Sequence, residues 1–203
     1  MTGLRRAWFP VVVWVMTVIG LAAAVIVPVV SGGGDQFDGK GWAVRLVVYP
    51  ALMLVAPGVW WAARRRRGDP APYAPFGLIM VPFLSDTAAN WLDLFRQVSW
   101  WDDASHAAHW FLLCAGLGLL VSAHVRPRWV VVPLVAGAGA LLALAWELGE
   151  WWLFIRHGVE ARGAYRDTLG DQALGTAGAF AAALAVAWHH RGALRTAAYS
   201  PQV

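Results

Sequence analysis

Residues 140–155 read ALLALAWELGEWWLFI, and this apolar stretch contains two carboxylates, Glu147 and Glu150. An ionised side chain in hydrocarbon costs about 2.5 to 3.5 kcal/mol even on lenient insertion scales, so carboxylates at membrane depth face a bundle interior or a wet cavity. We therefore expect both side chains to meet other polar groups inside a bundle of helices.

The composition of the 203-residue chain is that of a membrane protein. Hydrophobic residues make up 59% of it and charged residues 14%, whereas about 25% of the residues of a soluble domain are charged. Apolar runs of roughly 20 residues, the length that crosses a bilayer, occur at 7–30, 42–63, 73–95, 104–124, 129–155 and 171–190. The sequence thus predicts an all-α polytopic membrane protein, a bundle of six transmembrane helices.

The arginines predict the orientation of this bundle, because short cytoplasmic loops carry the excess of Lys and Arg. In a six-span arrangement one side collects Arg5, Arg6, Arg64 to Arg67, Arg126, Arg128, Arg191 and Arg195. Both termini are therefore expected in the cytoplasm. The run of four arginines is explained by the same rule, and no nucleic-acid partner is expected.

The chain as a whole, residues 1–203, is predicted to form a single transmembrane domain. Residues 1–72, with the first two helices and the basic loop, would serve as a scaffold, and residues 73–190 would form four helices that carry a polar site. Small residues on the fifth and sixth predicted spans would let the helices pack closely around that site.

Polar side chains recur on one face of each of these four helices, at spacings of three or four residues. The candidates are Asp86, Asn90 and Asp93 on the third span, Asp102, His106 and His109 on the fourth, Glu147 and Glu150 on the fifth, and Asp167 and Asp171 where the sixth begins. We expect them to line a polar funnel that opens outward and narrows toward Asp86.

Three motifs carry a resemblance to a known family: WDDASH at 101–106, WELGEWW at 146–152 and YRDTLGDQALGTAGA at 165–179. With them the sequence resembles the YjdF-like family of bacterial inner-membrane proteins, and more distantly the VanZ-like membrane proteins. The resemblance implies a multi-pass protein of the cell (inner) membrane. It also implies a polar signature formed by Asp102, His106, Glu147, Glu150, Asp167 and Asp171. The YjdF-like family has no assigned reaction, so the resemblance implies no activity, and VanZ-type glycopeptide resistance is not carried over.

The chemistry of the six signature residues favours a divalent metal. Carboxylates and imidazoles are ligands of Zn²⁺ and Mn²⁺, and such an ion would neutralise anions that cannot all stay ionised at close range. Arginines offer a structural alternative, an ion-pair network, with Arg45, Arg96, Arg156 and Arg166 as the candidate partners. A proton or cation relay without a stable metal is the third interpretation.

Three classes of function follow from these interpretations. An enzyme would use the metal site on a lipid-linked envelope substrate, a structural or envelope-assembly protein would need only the folded bundle, and a cation or proton transporter would need a polar path to the cytoplasm. The sequence leaves open whether the protein is an enzyme. Membrane lipids are expected partners, and the oligomeric state is open.

Overall fold

The computed structural model of the chain describes residues 2–32, 34, 37–64, 68–155 and 161–198. Within these ranges it contains seven α-helices and no β-strand, which confirms the all-α class. The helices are α1 (Thr2–Ser31), α2 (Trp42–Arg64), α3 (Tyr73–Trp91), α4 (Leu94–Gln97), α5 (Trp101–Ser122), α6 (Val131–Glu150) and α7 (Ala161–Ala198). A 3-10 turn at Arg128–Val130 precedes α6, and a π-helical turn at Trp151–Ile155 follows it.

Five segments of the described chain are long and apolar enough to cross a membrane. They are Ala7–Ser31, Trp42–Arg64, Trp101–Ser122, Arg128–Leu153 and Ala164–His189. Helix α3 is not among them, because its second half carries polar residues such as Asp86 and Asn90. The described residues thus provide five candidate membrane spans, whereas the count of six and the side of the termini stay predictions.

Among the helix boundaries that differ from those predicted, two lie next to the polar candidates. Helix α3 ends at Trp91 rather than at residue 95, because Asp93 takes a left-handed conformation with φ 55°, which an α-helix does not accommodate. Helix α7 begins at Ala161, ten residues before the predicted span at 171, so most of the segment between the fifth and sixth predicted spans is helical. Hydropathy missed this first part because helix formation does not require apolar residues.

The contacts divide the chain into two compact units, residues 1–102 and residues 103–203. The boundary lies in the first turn of α5, so we describe α5 as a whole with the second unit. In the first unit α1 contacts α2 and α3, and α2 contacts α3. The proposed division into a scaffold (1–72) and a site-bearing part (73–190) is not tested by this grouping.

The second unit is built from α5, α6 and α7, which interlock through small residues. A Cβ on Gly175 of α7 would lie 2.7 Å from the indole of Trp110 on α5 and 3.2 Å from Ala143 on α6. In the next layer, one helical turn away on each helix, a Cβ on Gly139 of α6 would lie 2.6 Å from Cys114 of α5 and would also meet Ala179 of α7. These apolar layers fix the register of the three helices. The layer of Trp110, Ala143 and Gly175 lies one turn from the polar residues of the candidate site.

Candidate metal centre

His106 on α5 lies between two carboxylates that come from two other helices. Its Nδ1 is 3.8 Å from Oε1 of Glu147 on α6, and its Nε2 is 3.8 Å from Oδ1 of Asp171 on α7. The exposed fractions of the three side chains are only 12%, 4% and 7%, in the same order. The imidazole is therefore held inside the second unit with one acidic oxygen facing each of its nitrogens.

Asp102 completes a close group of metal-ligating atoms. It precedes His106 by four residues on α5, which places both side chains on one face of that helix. One ligand atom each from Asp102, His106 and Asp171 lie within 4.8 Å of one another. Two donors at Zn²⁺ bond lengths are about 3.4 Å apart in a tetrahedral site, so the 3.8 Å between His106 and Asp171 is close to the spacing that such an ion imposes. An imidazole with two carboxylates is also a donor set that suits Zn²⁺ or Mn²⁺.

The helix packing explains why these residues meet. Glu147 continues the buried row of α6 that contains Val135, Gly139 and Ala143 at four-residue spacing. On α5 His106 lies one turn before Trp110, and on α7 Asp171 lies one turn before Gly175. The apolar layer of Trp110, Ala143 and Gly175 thus places Glu147, His106 and Asp171 in the adjacent layer.

The other predicted ligands and candidates of the second unit lie outside the close group. Asp167 is exposed although it lies one turn before Asp171 on the same helix. Glu150, at the end of α6, and His109 on α5 are half-buried. The role of these three residues as ligands stays a prediction.

Asp86, the predicted narrow end of the funnel, is part of an ion-pair network in the first unit. Its Oδ2 accepts hydrogen bonds from the Arg45 guanidinium and from the hydroxyl of Tyr49, the latter at 2.7 Å. Its Oδ1 accepts a hydrogen bond of 3.2 Å from the side-chain amide of Asn90. The side chains of Asp86 and Arg45 are 17% and 14% exposed, so the charge of this carboxylate is compensated inside the unit by a guanidinium.

Asp93 is paired in a similar way, in the turn after α3. The Lys40 ammonium donates at 2.7 Å to Oδ1 of Asp93 and at 2.7 Å to the carbonyl of Asn90. Arg96 lies 3.8 Å from the same carboxylate oxygen. The hydrogen bond from Lys40 holds the pKa of Asp93 below its usual 3.8.

Ion pairs of the kind that the structural alternative requires occur in the first unit, at carboxylates outside the six signature residues. Of the four candidate arginines, Arg45 pairs with Asp86 and Arg96 with Asp93, Arg166 is exposed, and Arg156 lies outside the described residues.

Sequence reasoning missed two partners of these carboxylates, Lys40 and Tyr49. Tyr49 follows Arg45 by four residues, a spacing that places both on one helical face, whereas Lys40 lies in a loop whose path no periodic pattern predicts.

A comparison with protein families identifies the chain. Residues 11–192 match the family described as "Predicted membrane protein (DUF2238)". The match agrees with the resemblance to YjdF-like proteins of unassigned function, whereas the similarity to VanZ-like proteins stays a prediction. Neither the curated proteins nor the solved structures include a significant match. Because the matched region covers most of its length, the chain belongs to this family of membrane proteins of unknown function.

Proposed function

We propose that the protein is an integral membrane protein whose second unit binds one divalent metal ion, Zn²⁺ or Mn²⁺, through Asp102, His106 and Asp171. The observation that carries the proposal is the close group itself: ligand atoms from two helices lie within 4.8 Å of one another. These helices belong to segments apolar enough to span a membrane.

Electrostatics favours an ion at this position. The side chains of Asp171 and Glu147 are both buried, at 7% and 4% exposure, and both face the same imidazole. Buried carboxylates that face one imidazole are costly to keep ionised unless positive charge compensates them. A divalent ion supplies that charge, whereas in the first unit a guanidinium does so for Asp86.

The orientation that we propose follows the arginines: six spans, both termini in the cytoplasm, and the metal centre toward the outer face of the cell membrane. Helix α3 serves as the third span, since its 19 residues extend about 28 Å, close to the thickness of a bilayer core of about 30 Å. The pairing of Asp86 with Arg45 and Tyr49 lowers the cost of placing this helix in the membrane.

The proposed activity is hydrolysis or group transfer on a lipid-linked envelope substrate. A divalent ion lowers the pKa of bound water and polarises phosphoryl or acyl oxygens. Three protein ligands leave a coordination position open, as catalytic zinc sites do. Asp102, His106 and Asp171 would hold the ion, and the surrounding apolar helices would limit access of bulk water.

A transporter is a weaker alternative because of the layers next to the site. The layer of Trp110, Ala143 and Gly175 and the layer of Cys114, Gly139 and Ala179 are apolar and tightly packed. A cation or proton path through the second unit would have to cross both. A non-catalytic structural role is favoured for the ion pairs of the first unit, where each described carboxylate of the network has a cationic partner.

The test is metal binding by purified protein, with two aspartates of α7 as a matched pair. Asp171→Asn removes a buried ligand, and Asp167→Asn removes an exposed carboxylate one turn away. We expect about one ion per wild-type chain. Loss of a group that only supports a ligand costs about 10- to 100-fold in metal affinity, so Asp171→Asn should weaken binding at least that much, while Asp167→Asn should bind like the wild type.

Elemental analysis and calorimetric titration with Zn²⁺ and Mn²⁺ measure both quantities. A wild type without metal affinity, or equal losses in the two variants, would contradict the proposed metal centre.

A further inference from the structure

Glu147 faces His106 without belonging to the close group of ligand atoms. The group contains Asp102, His106 and Asp171, whereas Glu147 approaches the opposite nitrogen of the ring, with Oε1 at 3.8 Å from Nδ1. Its side chain is 4% exposed and continues the buried row of α6. Glu147 is thus fixed on the side of the imidazole that faces away from Asp171.

The two nitrogens of a neutral imidazole have different roles when a metal binds. One coordinates the ion, and the other carries the proton and donates it in a hydrogen bond, which sets the tautomer. Nε2 lies on the side of Asp171, 3.8 Å from its Oδ1, and so it is the nitrogen suited to coordinate. Nδ1–H then points toward the carboxylate of Glu147.

We propose that Glu147 is a positioning residue. Its carboxylate accepts a hydrogen bond from Nδ1–H of His106, and this orients the ring so that Nε2 faces the metal ion. The inference rests on the proposed metal centre and assigns Glu147 a role other than that of a ligand. A distance of 3.8 Å is longer than a hydrogen bond of about 2.9 Å, so this role requires the ring and the carboxylate to approach each other by about an ångström. A carboxylate at this position also raises the basicity of the coordinating nitrogen.

Two substitutions of Glu147 separate positioning from coordination. Glu147→Gln keeps an oxygen that accepts from Nδ1–H, and Glu147→Ala removes it. If Glu147 positions the ring, the Gln variant should bind Zn²⁺ within about 10-fold of the wild type, and the Ala variant should lose a further 10- to 100-fold, the range for supporting groups of metal ligands. Asp171→Asn serves as the reference for loss of a true ligand.

The readout specific to positioning is the tautomer of His106, measured by ¹⁵N NMR of imidazole-labelled protein with Zn²⁺ bound. The wild type and Glu147→Gln should show Nε2 coordinated and Nδ1 protonated, and Glu147→Ala should show a mixture. Circular dichroism and gel filtration in detergent verify that each variant is folded.

The binding losses decide whether Glu147 positions His106 or coordinates the metal itself. If Gln and Ala both weaken binding as much as Asp171→Asn does, Glu147 is a ligand and the positioning role is wrong. If neither weakens binding, Glu147 has no role at the metal. If the wild type itself binds no metal, the proposed function fails first, and the inference fails with it.

Discussion

Two carboxylates that are largely withdrawn from solvent have different partners in this protein. Asp86 accepts hydrogen bonds from Arg45, Tyr49 and Asn90, so its charge is balanced by a fixed guanidinium and two neutral donors. Asp171 faces the imidazole of His106 within a group of ligand atoms that could hold an ion. The same residue type therefore carries a structural role in one unit and a candidate functional role in the other.

The pair of Arg45 and Asp86 gives a prediction for the first unit. Breaking a buried ion pair by removing one partner costs about 3 to 5 kcal/mol, because it leaves an uncompensated buried charge. The pair is part-buried, so we expect Arg45→Gln to lower the stability by at most this amount. The loss for Asp86→Asn should be smaller, because the long arginine side chain can carry its guanidinium to water. The double variant Arg45→Gln with Asp86→Asn should be more stable than Arg45→Gln alone.

Thermal unfolding of the four proteins in detergent, arranged as a double-mutant cycle, measures this coupling. Additive losses in the cycle would mean that the two charges do not depend on one another. None of the four proteins should differ in metal binding, because the close group of ligand atoms lies elsewhere in the chain.

Individual helices in the second unit depend on small residues at their contact faces. Gly139 of α6 faces Cys114 and Ala179, whereas Gly137, two residues earlier on the same helix, has open space around its position for a Cβ. Within a membrane, close packing of small residues is a main source of helix association, since lipid tails are as apolar as the side chains. The apolar layers therefore determine where α6 holds Glu147.

The two glycines form a matched pair for a second stability test. Gly139→Ala should destabilise the protein by about 1 to 3 kcal/mol, the usual cost of overpacking a filled core. Gly137→Ala should be neutral or stabilise it by up to about 1 kcal/mol, because alanine is the better helix former. Thermal unfolding checks both values, and equal effects would show that the packing around Gly139 adapts to a methyl group.

For the whole molecule, the prediction concerns topology. The proposed six-span arrangement places the segment around Asp38 outside and the segment around Asp69 in the cytoplasm, because the arginines collect beside the latter. The native Cys114 is buried and gives little background. A membrane-impermeant thiol reagent applied to intact cells should label Asp38→Cys, and it should label Asp69→Cys only after the membrane is permeabilised.

Labelling of Asp69→Cys from outside intact cells would invert the orientation. The metal centre would then face the cytoplasm, and the lipid-linked envelope substrate would no longer be a suitable candidate. The metal-binding test is independent of this outcome, because it uses purified protein.

Much of the architecture could be predicted from local sequence patterns. Runs of apolar residues predicted long helices near their observed positions, since the bilayer thickness fixes the length of a span. The predicted boundaries were wrong where something other than apolar residues determines the end of a helix. Asp93 ends α3 early through its backbone conformation, and the first turns of α7, which are polar, begin that helix at Ala161. The one-face spacing of Asp102 and His106 predicted that they would share a site, because four residues make about one helical turn.

The sequence by itself determined that the chain is helical and membrane-embedded and that its acidic residues and histidines lie on defined helical faces. Only the tertiary structure decided which of these residues meet. It brought Asp171 to His106 and left Asp167 exposed, and it paired Asp86 with Arg45 and Tyr49. Helical periodicity fixes the direction of a side chain from its own axis, whereas contact between helices depends on their packing and register, which here are set by apolar layers such as Trp110, Ala143 and Gly175.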